Sequence, residues 1–343
     1  MPLFARHDAS SQTRYQELKQ LARTQRRALA GTPGTLKKRS RGATDYWVRE
    51  YIRVDGRKDD EHIGTVASVD TARIAALRAE VELAGALAAG SSKLRLLGYQ
   101  RIERKPAAVL AALFNRSLFD AGLVLVGSHA YGALLNDCGV LSAAYRTRDI
   151  DLARAQPLEV ALPPDTGFEQ LLDESGLDFV PVPGMPSRRP STSYELPGAE
   201  ALAVDLLVPG SVAGQVAAVE ELRTHAQTIP LLDFLVDDAV DGIVLSPNQV
   251  VPVRLPAAER FALHKLYSSQ RRGSQRDKTR KDLEQAAILV AVLEEETPGL
   301  LGDAWRKMPS AARPTVKRGA RAALNIVGDH TEANAFLRKI AKP

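Results

Sequence analysis

Residues 123–152 read LVLVGSHAYGALLNDCGVLSAAYRTRDIDL, and this stretch decides the fold class. It begins with an apolar run typical of a buried β-strand, which is followed at once by Gly127-Ser128 and a helical pattern. Glycine lets the backbone approach a phosphate closely, and the serine hydroxyl and the first helix amides can donate to phosphate oxygens. The pattern predicts a strand-to-helix turn that can bind phosphate, although a strand followed by Gly-Ser is common in α/β proteins.

The end of the same stretch carries two acidic residues at strand spacing. Asp149 and Asp151 are two positions apart, so in a strand both side chains project from one face while Ile150 and Leu152 face the core. Two carboxylates placed in this way can share a hard cation, and Mg²⁺ binds oxygen ligands together with substrate phosphates. Acid-x-acid triplets are frequent, so this one gains weight only from the segments that accompany it.

A third acidic residue lies alone in a later apolar run. Residues 203–208, AVDLLV, surround Asp205 with apolar side chains. A carboxylate inside a buried strand needs a compensating charge or hydrogen bonds, and a metal ion provides that charge. The alternative is an edge strand in which Asp205 faces water.

The chain thus carries a strand followed by Gly-Ser and a helix, then an Asp-x-Asp strand, then a strand with a single Asp. This order of motifs resembles the minimal nucleotidyltransferase fold of the DNA polymerase beta superfamily. The resemblance implies phosphoryl transfer with two Mg²⁺ ions, for which Mn²⁺ is a substitute, and with an NTP as substrate. It further implies that Asp149 and Asp151 bind both ions and that Asp205 binds the ion that activates the acceptor hydroxyl. Gly127 and Ser128 would then hold the NTP phosphates. Asp205 is also placed to take the acceptor proton as a general base.

A second resemblance covers the C-terminal helices. Residues 259–266 (ERFALHKL) and 278–283 (KTRKDL), with Arg271-Arg272 between them, look like the helical half of bacterial nucleotidyltransferases, including toxins of the AbiE type. The resemblance implies that Lys265 reaches the triphosphate and that Lys281 and Asp282 line the site. This chain departs from the toxins, because its Lys-Asp is followed by Glu-Gln where they tend to have Arg-Asp and a further acid. The alternative for Lys265 is a solvated helix face.

Four residues near these motifs have two interpretations each. Arg146 and Arg148 precede the acidic strand and can pair with the triphosphate or with acidic side chains of the chain itself. His129 can contact a phosphate or base, although a lone His at a helix start more often makes local hydrogen bonds. Tyr131 can stack on the nucleobase or belong to the core.

Composition predicts a folded, multi-unit protein without membrane spans. The 343 residues are 45% apolar and 25% charged, which are ordinary values for globular proteins and exclude global disorder. No apolar run reaches the length of a transmembrane helix, and the N-terminus lacks the apolar region of a secretory signal. With a single cysteine, Cys138, expected to be buried, the chain fits a reducing compartment. We therefore expect a cytoplasmic protein.

Charge is distributed unevenly along the chain. Residues 1–50 carry 11 Lys/Arg against 4 Asp/Glu, residues 251–343 carry 18 against 10, and the middle carries 17 against 27. Basic flanks suit a polyanion such as RNA or DNA, while an acidic centre suits divalent cations. High arginine content without any nucleic-acid partner produces the same pattern.

Apolar periodicity and turn signals predict an α/β (α+β) nucleotidyltransferase fold with a mixed sheet. We expect helices over residues 12–30, 71–89 and 105–121, a basic β-hairpin within 36–66, and a strand at 233–237. The expected units are residues 1–104, an N-terminal helical arm with the hairpin, residues 105–228, the catalytic domain, and residues 229–343, a mostly helical domain that completes the NTP site.

These observations favour an enzyme that transfers a nucleoside monophosphate from an NTP to an acceptor. The toxin resemblance and the basic flanks favour RNA, including a tRNA 3′ end, and a toxin or antiphage role. Small-molecule and protein acceptors remain open. The competing hypothesis is a non-catalytic nucleotide- or nucleic-acid-binding protein on the same fold, since fold does not fix function.

Overall fold

The computed structural model describes residues 3–142, 147–160, 162–163, 166–184, 188–198, 201–273 and 275–342. Within these residues the helices are α1 (Ala9–Arg23), α2 (Thr71–Leu96), α3 (Arg104–Asn115), α4 (Gly127–Asp137), α5 (Phe168–Asp173), α6 (Leu232–Val236), α7 (Ala258–Ser269), α8 (Arg276–Glu296), α9 (Leu300–Lys307), α10 (Arg313–Val327) and α11 (Thr331–Ala341).

The strands are β1 (Ala5–Arg6), β2 (Thr35–Arg41), β3 (Thr44–Ile52), β4 (Lys58–Thr65), β5 (Val124–Val126), β6 (Val140–Leu141), β7 (Asp149–Ala153), β8 (Val180–Pro181), β9 (Ser193–Leu196), β10 (Leu202–Pro209), β11 (Val216–Val219), β12 (Thr224–Ile229), β13 (Val240–Leu245) and β14 (Val250–Leu255). A short 3-10 helix, Glu220–Leu222, joins β11 to β12. In the part of the chain described here, no helix is both long enough and apolar enough to cross a membrane.

A seven-stranded sheet forms the centre of the fold. Its main path runs β11-β12-β10-β7-β5, with β9 paired to β10 and β8 paired to β9. β10 is parallel to β7 and to β12 but antiparallel to β9, and β5 is antiparallel to β7. A mixed sheet with helices alongside confirms the predicted α/β (α+β) class.

Alternation along β7 and β10 sets which face of the sheet is polar. Ile150, Leu152, Val204 and Leu206 are fully buried on one face. Because successive strand residues point to opposite faces, the acidic positions between them point to the other face. The hydrophobic core therefore fixes the direction of the acidic side chains.

Two hydrophobic cores join the elements. The larger core combines side chains of α3, β5, β7 and β10 with those of α7, α8, α10 and α11. The smaller core packs α1 and α2 against β13 and β14 and includes Tyr15, Leu87, Leu94 and Ile243. The division into units at residues 104 and 228 stays a prediction.

Four predicted elements differ from the structure in extent or type. The helix predicted at 105–121 ends at Asn115, because Ser117 has a left-handed φ of +54° that a helix does not continue through. The first helix ends at Arg23 rather than continuing to residue 30. The helix predicted at 71–89 continues past Gly90 to Leu96 as α2. Gly90 is a packing position inside this helix and not its end, since a Cβ there would lie 2.5 Å from Leu18 Cδ1 on α1. Residues 233–237 were wrongly predicted as a strand and lie mostly in the short helix α6.

The predicted basic hairpin is one part of a three-stranded sheet. β3 pairs with β4 across the expected turn, and β2 adds a third, antiparallel strand at the edge. The Arg49 side chain, 2% exposed, donates to the backbone oxygens of Ala30 and Thr32 and forms an ion pair with Glu61. These contacts fix the small sheet to the segment that follows α1.

Candidate active site

The three aspartates lie on one face of two neighbouring parallel strands. In the register of β7 and β10, Asp151 is opposite Asp205 and Asp149 is opposite Ala203. Adjacent strands are about 4.8 Å apart, so the Asp151 and Asp205 side chains are direct neighbours. All three aspartates line one cleft of about 570 Å³. The two distant segments that carry these acids therefore meet, as predicted.

Gly127 places the start of α4 directly against Asp151. Its φ of +70° is in the left-handed region, and a Cβ at this position would overlap Asp151 Oδ2. Only glycine meets both requirements. The first turn of α4, with its free amides and the Ser128 side chain, consequently lies at the edge of the acidic cluster.

Crowding and burial make the ionised carboxylates unfavourable in the unliganded chain. Burial, with contributions from Asp205 and Asp149, raises the pKa of Asp151 to about 6, while Lys265 opposes the shift. Burial and Asp149 also raise the pKa of Asp205, against a hydrogen bond from the Ser193 side chain. A cluster of oxygen donors with raised pKa values fits a hard divalent cation, which would restore the charge balance.

The three aspartates do not converge on a single point. The ligand atoms of the three aspartates do not all lie within 4.8 Å of one another, unlike those of the surface group Glu295, His330 and Glu332. The surface group already contains a cation, because Glu295 pairs with Arg6.

Cationic side chains of α7, α8 and the loop between them form the opposite wall of the cleft. They are Lys265, Arg271, Arg272, Lys278 and Lys281. Asp282, 2% exposed, accepts a hydrogen bond from Lys265 Nζ at 2.7 Å and from Arg272 Nε at 2.8 Å. Although burial alone would raise the pKa of Asp282, these two cations lower it. Asp282 thus holds two of the cations in place as an ionised carboxylate.

Lys281 is partly buried, and its surroundings lower the pKa of its ammonium group. Burial and the neighbouring Lys265 lower its pKa, while Asp282, Asp151 and Asp149 act in the opposite direction. The cationic wall is therefore within electrostatic reach of the acidic face. A phosphate chain that entered the cleft would meet both.

Most of the predicted residues line the cleft, and one does not. Gly127, Ser128, Lys265 and Lys281 are lining residues together with the three aspartates. Arg148 is exposed and outside the lining, and its carbonyl accepts a hydrogen bond from Ala203 N at 2.8 Å. Arg146 lies outside the described residues.

His129, Tyr131 and Cys138 are all buried or partly buried within the fold. His129 is 8% exposed, and burial together with Lys281 lowers its pKa to about 4, so its imidazole is neutral at pH 7. Tyr131 is 2% exposed and stacks on Phe261 with ring centroids 6.2 Å apart. Cys138 is partly buried rather than fully buried, and burial raises the pKa of its thiol to about 12.

Several lining residues had no predicted role. Lys278 shares one face of α8 with Lys281 and Asp282, a relation that helical spacing could have revealed. Gln227 reaches the cleft from β12, which the sequence pattern did not predict as a strand. The apolar flank combines side chains from β10, β12, α6 and α7: Leu207, Ile229, Pro230, Leu232, Leu235 and Phe261.

The cleft thus combines three surfaces with different chemistry. Its acidic face suits divalent cations, its cationic wall suits phosphates, and its apolar flank suits a planar ring. These are the binding requirements of a metal-bound nucleoside triphosphate.

Comparison with known proteins supports this interpretation at the level of the family. A family model described as nucleotidyltransferase matches residues 104–310, more than half of the chain. The matched span includes the whole acidic face and both helices of the cationic wall. Searches of curated proteins and of solved structures give no match. The chain therefore belongs to a nucleotidyltransferase family.

Proposed function

We propose that this nucleotidyltransferase is a Mg²⁺-dependent enzyme that transfers a nucleoside monophosphate from an NTP to an acceptor hydroxyl. The observation that carries the proposal is the meeting of Asp149, Asp151 and Asp205 on one sheet face, opposite a wall of lysine and arginine. Acidic and cationic groups on facing walls suit a polyphosphate held between metal ions and side chains.

The aspartates have the donor chemistry for two Mg²⁺ ions, and Mn²⁺ meets the same requirement. When bound, the ions supply charge neutralisation at the reacting phosphate. In the proposal Asp149 and Asp151 are ligands of both ions, and Asp205 is a ligand on the acceptor side. In the proposal Asp205 also accepts the proton of the acceptor hydroxyl.

In the transfer itself, the acceptor oxygen bonds to the α-phosphorus as the bond to the β-phosphate oxygen breaks, and pyrophosphate leaves. Lys265, Arg272 and Lys281 are placed to hold the negative charge of that leaving group. Ser128 and the first amides of α4 can donate to phosphate oxygens at the other end of the cleft.

RNA, including a tRNA 3′ end, is the proposed acceptor. The support comes from the two basic flanks of the chain and from the resemblance of α7 and α8 to AbiE-type toxins. On the basis of that resemblance we also propose a toxin or antiphage role. Expression of the wild-type chain should then arrest growth of a bacterial host, and Asp149→Ala should abolish the arrest.

Label transfer tests the reaction directly. Each of the four α-³²P-labelled NTPs is incubated with the protein, Mg²⁺ and total RNA, and label is measured in RNA, in protein and in small molecules. We expect labelled RNA with wild type and at least about a 10²-fold loss with Asp149→Ala or Asp205→Ala. Asp120→Ala, an exposed change outside the cleft, is the control.

A non-catalytic binding protein would behave differently. It would bind NTP as tightly after Asp149→Ala and Asp151→Ala as before, and the wild type would release no pyrophosphate with any acceptor. That result would refute the proposed reaction and leave nucleotide binding as the function of the cleft.

A further inference from the structure

The two basic flanks differ in how their charges are compensated. In the N-terminal flank, many cations face carboxylates: Lys37 and Arg39 pair with Glu50, Arg27 with Glu61 and Glu80, Lys19 with Asp137, and Arg23 with Asp241. These pairs neutralise one another within the fold. This flank therefore presents much less positive charge to a partner than its sequence suggests.

In the C-terminal flank the pairing is uneven. Many of its cations also face carboxylates, among them Arg260, Lys265, Arg272, Arg306 and Lys307, but those of one helix do not. Residues 306–342 contain nine Lys or Arg and two Asp or Glu, a net charge of +7, which exceeds the +5 of the whole chain. Within this segment, α10 contains four cations and no acidic residue. We call Arg313, Lys317, Arg318 and Arg321 the basic face of α10.

Three side chains of the basic face donate hydrogen bonds to neutral groups. Arg313 donates to the Met308 and Arg306 carbonyls, Arg318 to the Thr315 hydroxyl, and Arg321 to the Ala341 carbonyl. Among the described residues, no carboxylate forms an ion pair with any of the four. Their positive charge consequently remains available to an external anion.

The geometry of α10 arranges these charges in a row. Val316, Gly319, Ala320 and Ala323 are its buried side. Arg313, Lys317 and Arg321 follow at intervals of four residues, about 6 Å apart along the helix axis, and Arg318 lies beside Lys317. A row of regularly spaced cations matches a linear polyanion better than a single compact anion.

The buried side of α10 packs against a helix that lines the cleft. Gly319 packs so closely that a Cβ there would overlap the Leu266 carbonyl of α7. α7 is the helix that carries Lys265 and Tyr267 into the cleft, and packed helices have axes about 8–10 Å apart. α10 is thus the next helix beyond the cationic wall of the cleft.

We propose that the basic face of α10 binds the phosphodiester backbone of a polynucleotide acceptor. An anionic membrane surface fits less well, because the exposed positions beside these cations are small or polar: Ala311, Pro314 and Asn325. The inference rests on the proposed function only in taking the bound polynucleotide as the acceptor. Binding without NTP or metal tests it separately from catalysis.

The experiment compares two charge-removing double variants of the full chain. Lys317→Gln/Arg318→Gln removes two cations from α10, and Lys38→Gln/Arg41→Gln removes two exposed cations from the N-terminal sheet. Binding of fluorescein-labelled oligouridylate is measured by fluorescence anisotropy over a salt series, without NTP or Mg²⁺. Circular dichroism melts confirm that both variants fold.

The α10 variant should bind at least about tenfold more weakly, and the slope of log affinity against log salt should fall in magnitude by about 1.4, for two lost phosphate contacts. The N-terminal variant should bind like wild type. Equal affinity of the α10 variant and wild type, or an equal loss in both variants, would overturn the proposal. Binding of phosphatidylserine vesicles through α10 without oligouridylate binding would replace it with a membrane surface.

Failure of this test is distinguishable from failure of the proposed reaction. If label transfer occurs but α10 variants bind oligouridylate and use RNA like wild type, the acceptor lies elsewhere. If oligouridylate binds through α10 but no NTP is consumed, the basic face stands and the transferase mechanism does not. With both correct, the α10 variant raises KM for RNA and leaves KM for NTP unchanged.

Discussion

At the scale of single residues, Gly127 carries two constraints that a side chain would violate. Gly127→Ala would place a methyl group at a φ of +70° and against Asp151 Oδ2. The strained backbone costs about 1–3 kcal/mol, and the overlap must move either α4 or Asp151. We expect lower stability in urea unfolding and, in label transfer, loss of activity beyond the loss of folded protein.

Gly132 is the matched control on the same helix. A Cβ there would lie 3.6 Å from Gln100 Cβ, an ordinary contact, and Gly132 has no positive φ. Gly132→Ala should stabilise α4 by about 0.5–1 kcal/mol through helix propensity and leave activity intact. If Gly127→Ala were as stable and active as Gly132→Ala, the close approach of Asp151 to α4 would be wrong.

Asp151 predicts a pH dependence of stability in the metal-free protein. Its folded pKa of about 6 lies above the ordinary carboxyl value of 3.8, so ionisation opposes folding. The loss of stability is fully present above pH 6 and disappears as pH falls through 6 towards 4. Asp151→Asn removes the charge and should therefore stabilise the metal-free chain at pH 7.5 by about 1–3 kcal/mol.

Two measurements check this prediction. Urea unfolding in EDTA should show the gain of Asp151→Asn at pH 7.5, and the gain should shrink near pH 4.5. If Asp151 is a metal ligand as proposed, Mg²⁺ should stabilise the wild type but not the variant. A variant less stable than wild type at pH 7.5 in EDTA would show that Asp151 has a favourable partner in the folded state.

At the scale of elements, α7 and α8 are joined by a buried ion pair that also faces the cleft. Asp282 has two cationic ion-pair partners, whereas Lys265 has one carboxylate ion-pair partner. Removing Asp282 should therefore lower stability more than removing Lys265. Asp282→Asn leaves the buried Lys265 ammonium without its hydrogen-bonded carboxylate and should cost about 3–5 kcal/mol. Lys265→Met leaves Asp282 paired with Arg272 and should cost less.

The double variant separates structure from chemistry. Lys265→Met/Asp282→Asn removes both charges of the buried pair and should be more stable than Asp282→Asn alone in urea unfolding. Label transfer should stay low in all three variants, because Lys265 is lost or misplaced in each. Wild-type transfer by the stable double variant would remove Lys265 and Asp282 from the proposed phosphate wall.

Elements predictable from sequence were those whose pattern is local. Alternation identified the strands of Asp149 and Asp205, and each acid then had to face away from the core. The helix end predicted before Gly90 was wrong because this glycine makes room for Leu18 of another helix. The strand predicted at 233–237 was wrong because the five residues of α6 are too few to show a helical period. Which lysines and arginines of α7 and α8 face the sheet depends on tertiary packing, and spacing along the chain does not determine it.

At the scale of the whole molecule, the N-terminal arm is attached to the rest by specific contacts. Ser91 donates to the Ser246 carbonyl at 2.7 Å, and Tyr15 donates to Asp137, at the end of α4, at 2.8 Å. The smaller core likewise combines α1 and α2 with β13 and β14. Residues 1–104 therefore share buried surface with both other predicted units.

Shared buried surface predicts one cooperative unfolding transition, and the two tryptophans of the chain report on it separately. Trp47 lies in β3 of the N-terminal sheet and Trp305 in α9 near the other end of the chain. Fluorescence of Trp305→Phe should therefore follow the N-terminal sheet, and that of Trp47→Phe the C-terminal helices. Because Arg49 bonds the small sheet to Ala30 and Thr32, and the cores join α1 and α2 to the rest, both urea midpoints should coincide with the circular dichroism midpoint of the same variant. A lower midpoint for Trp47 alone would mean that the arm unfolds as an independent unit, and the boundary near residue 104 would then be a true domain boundary.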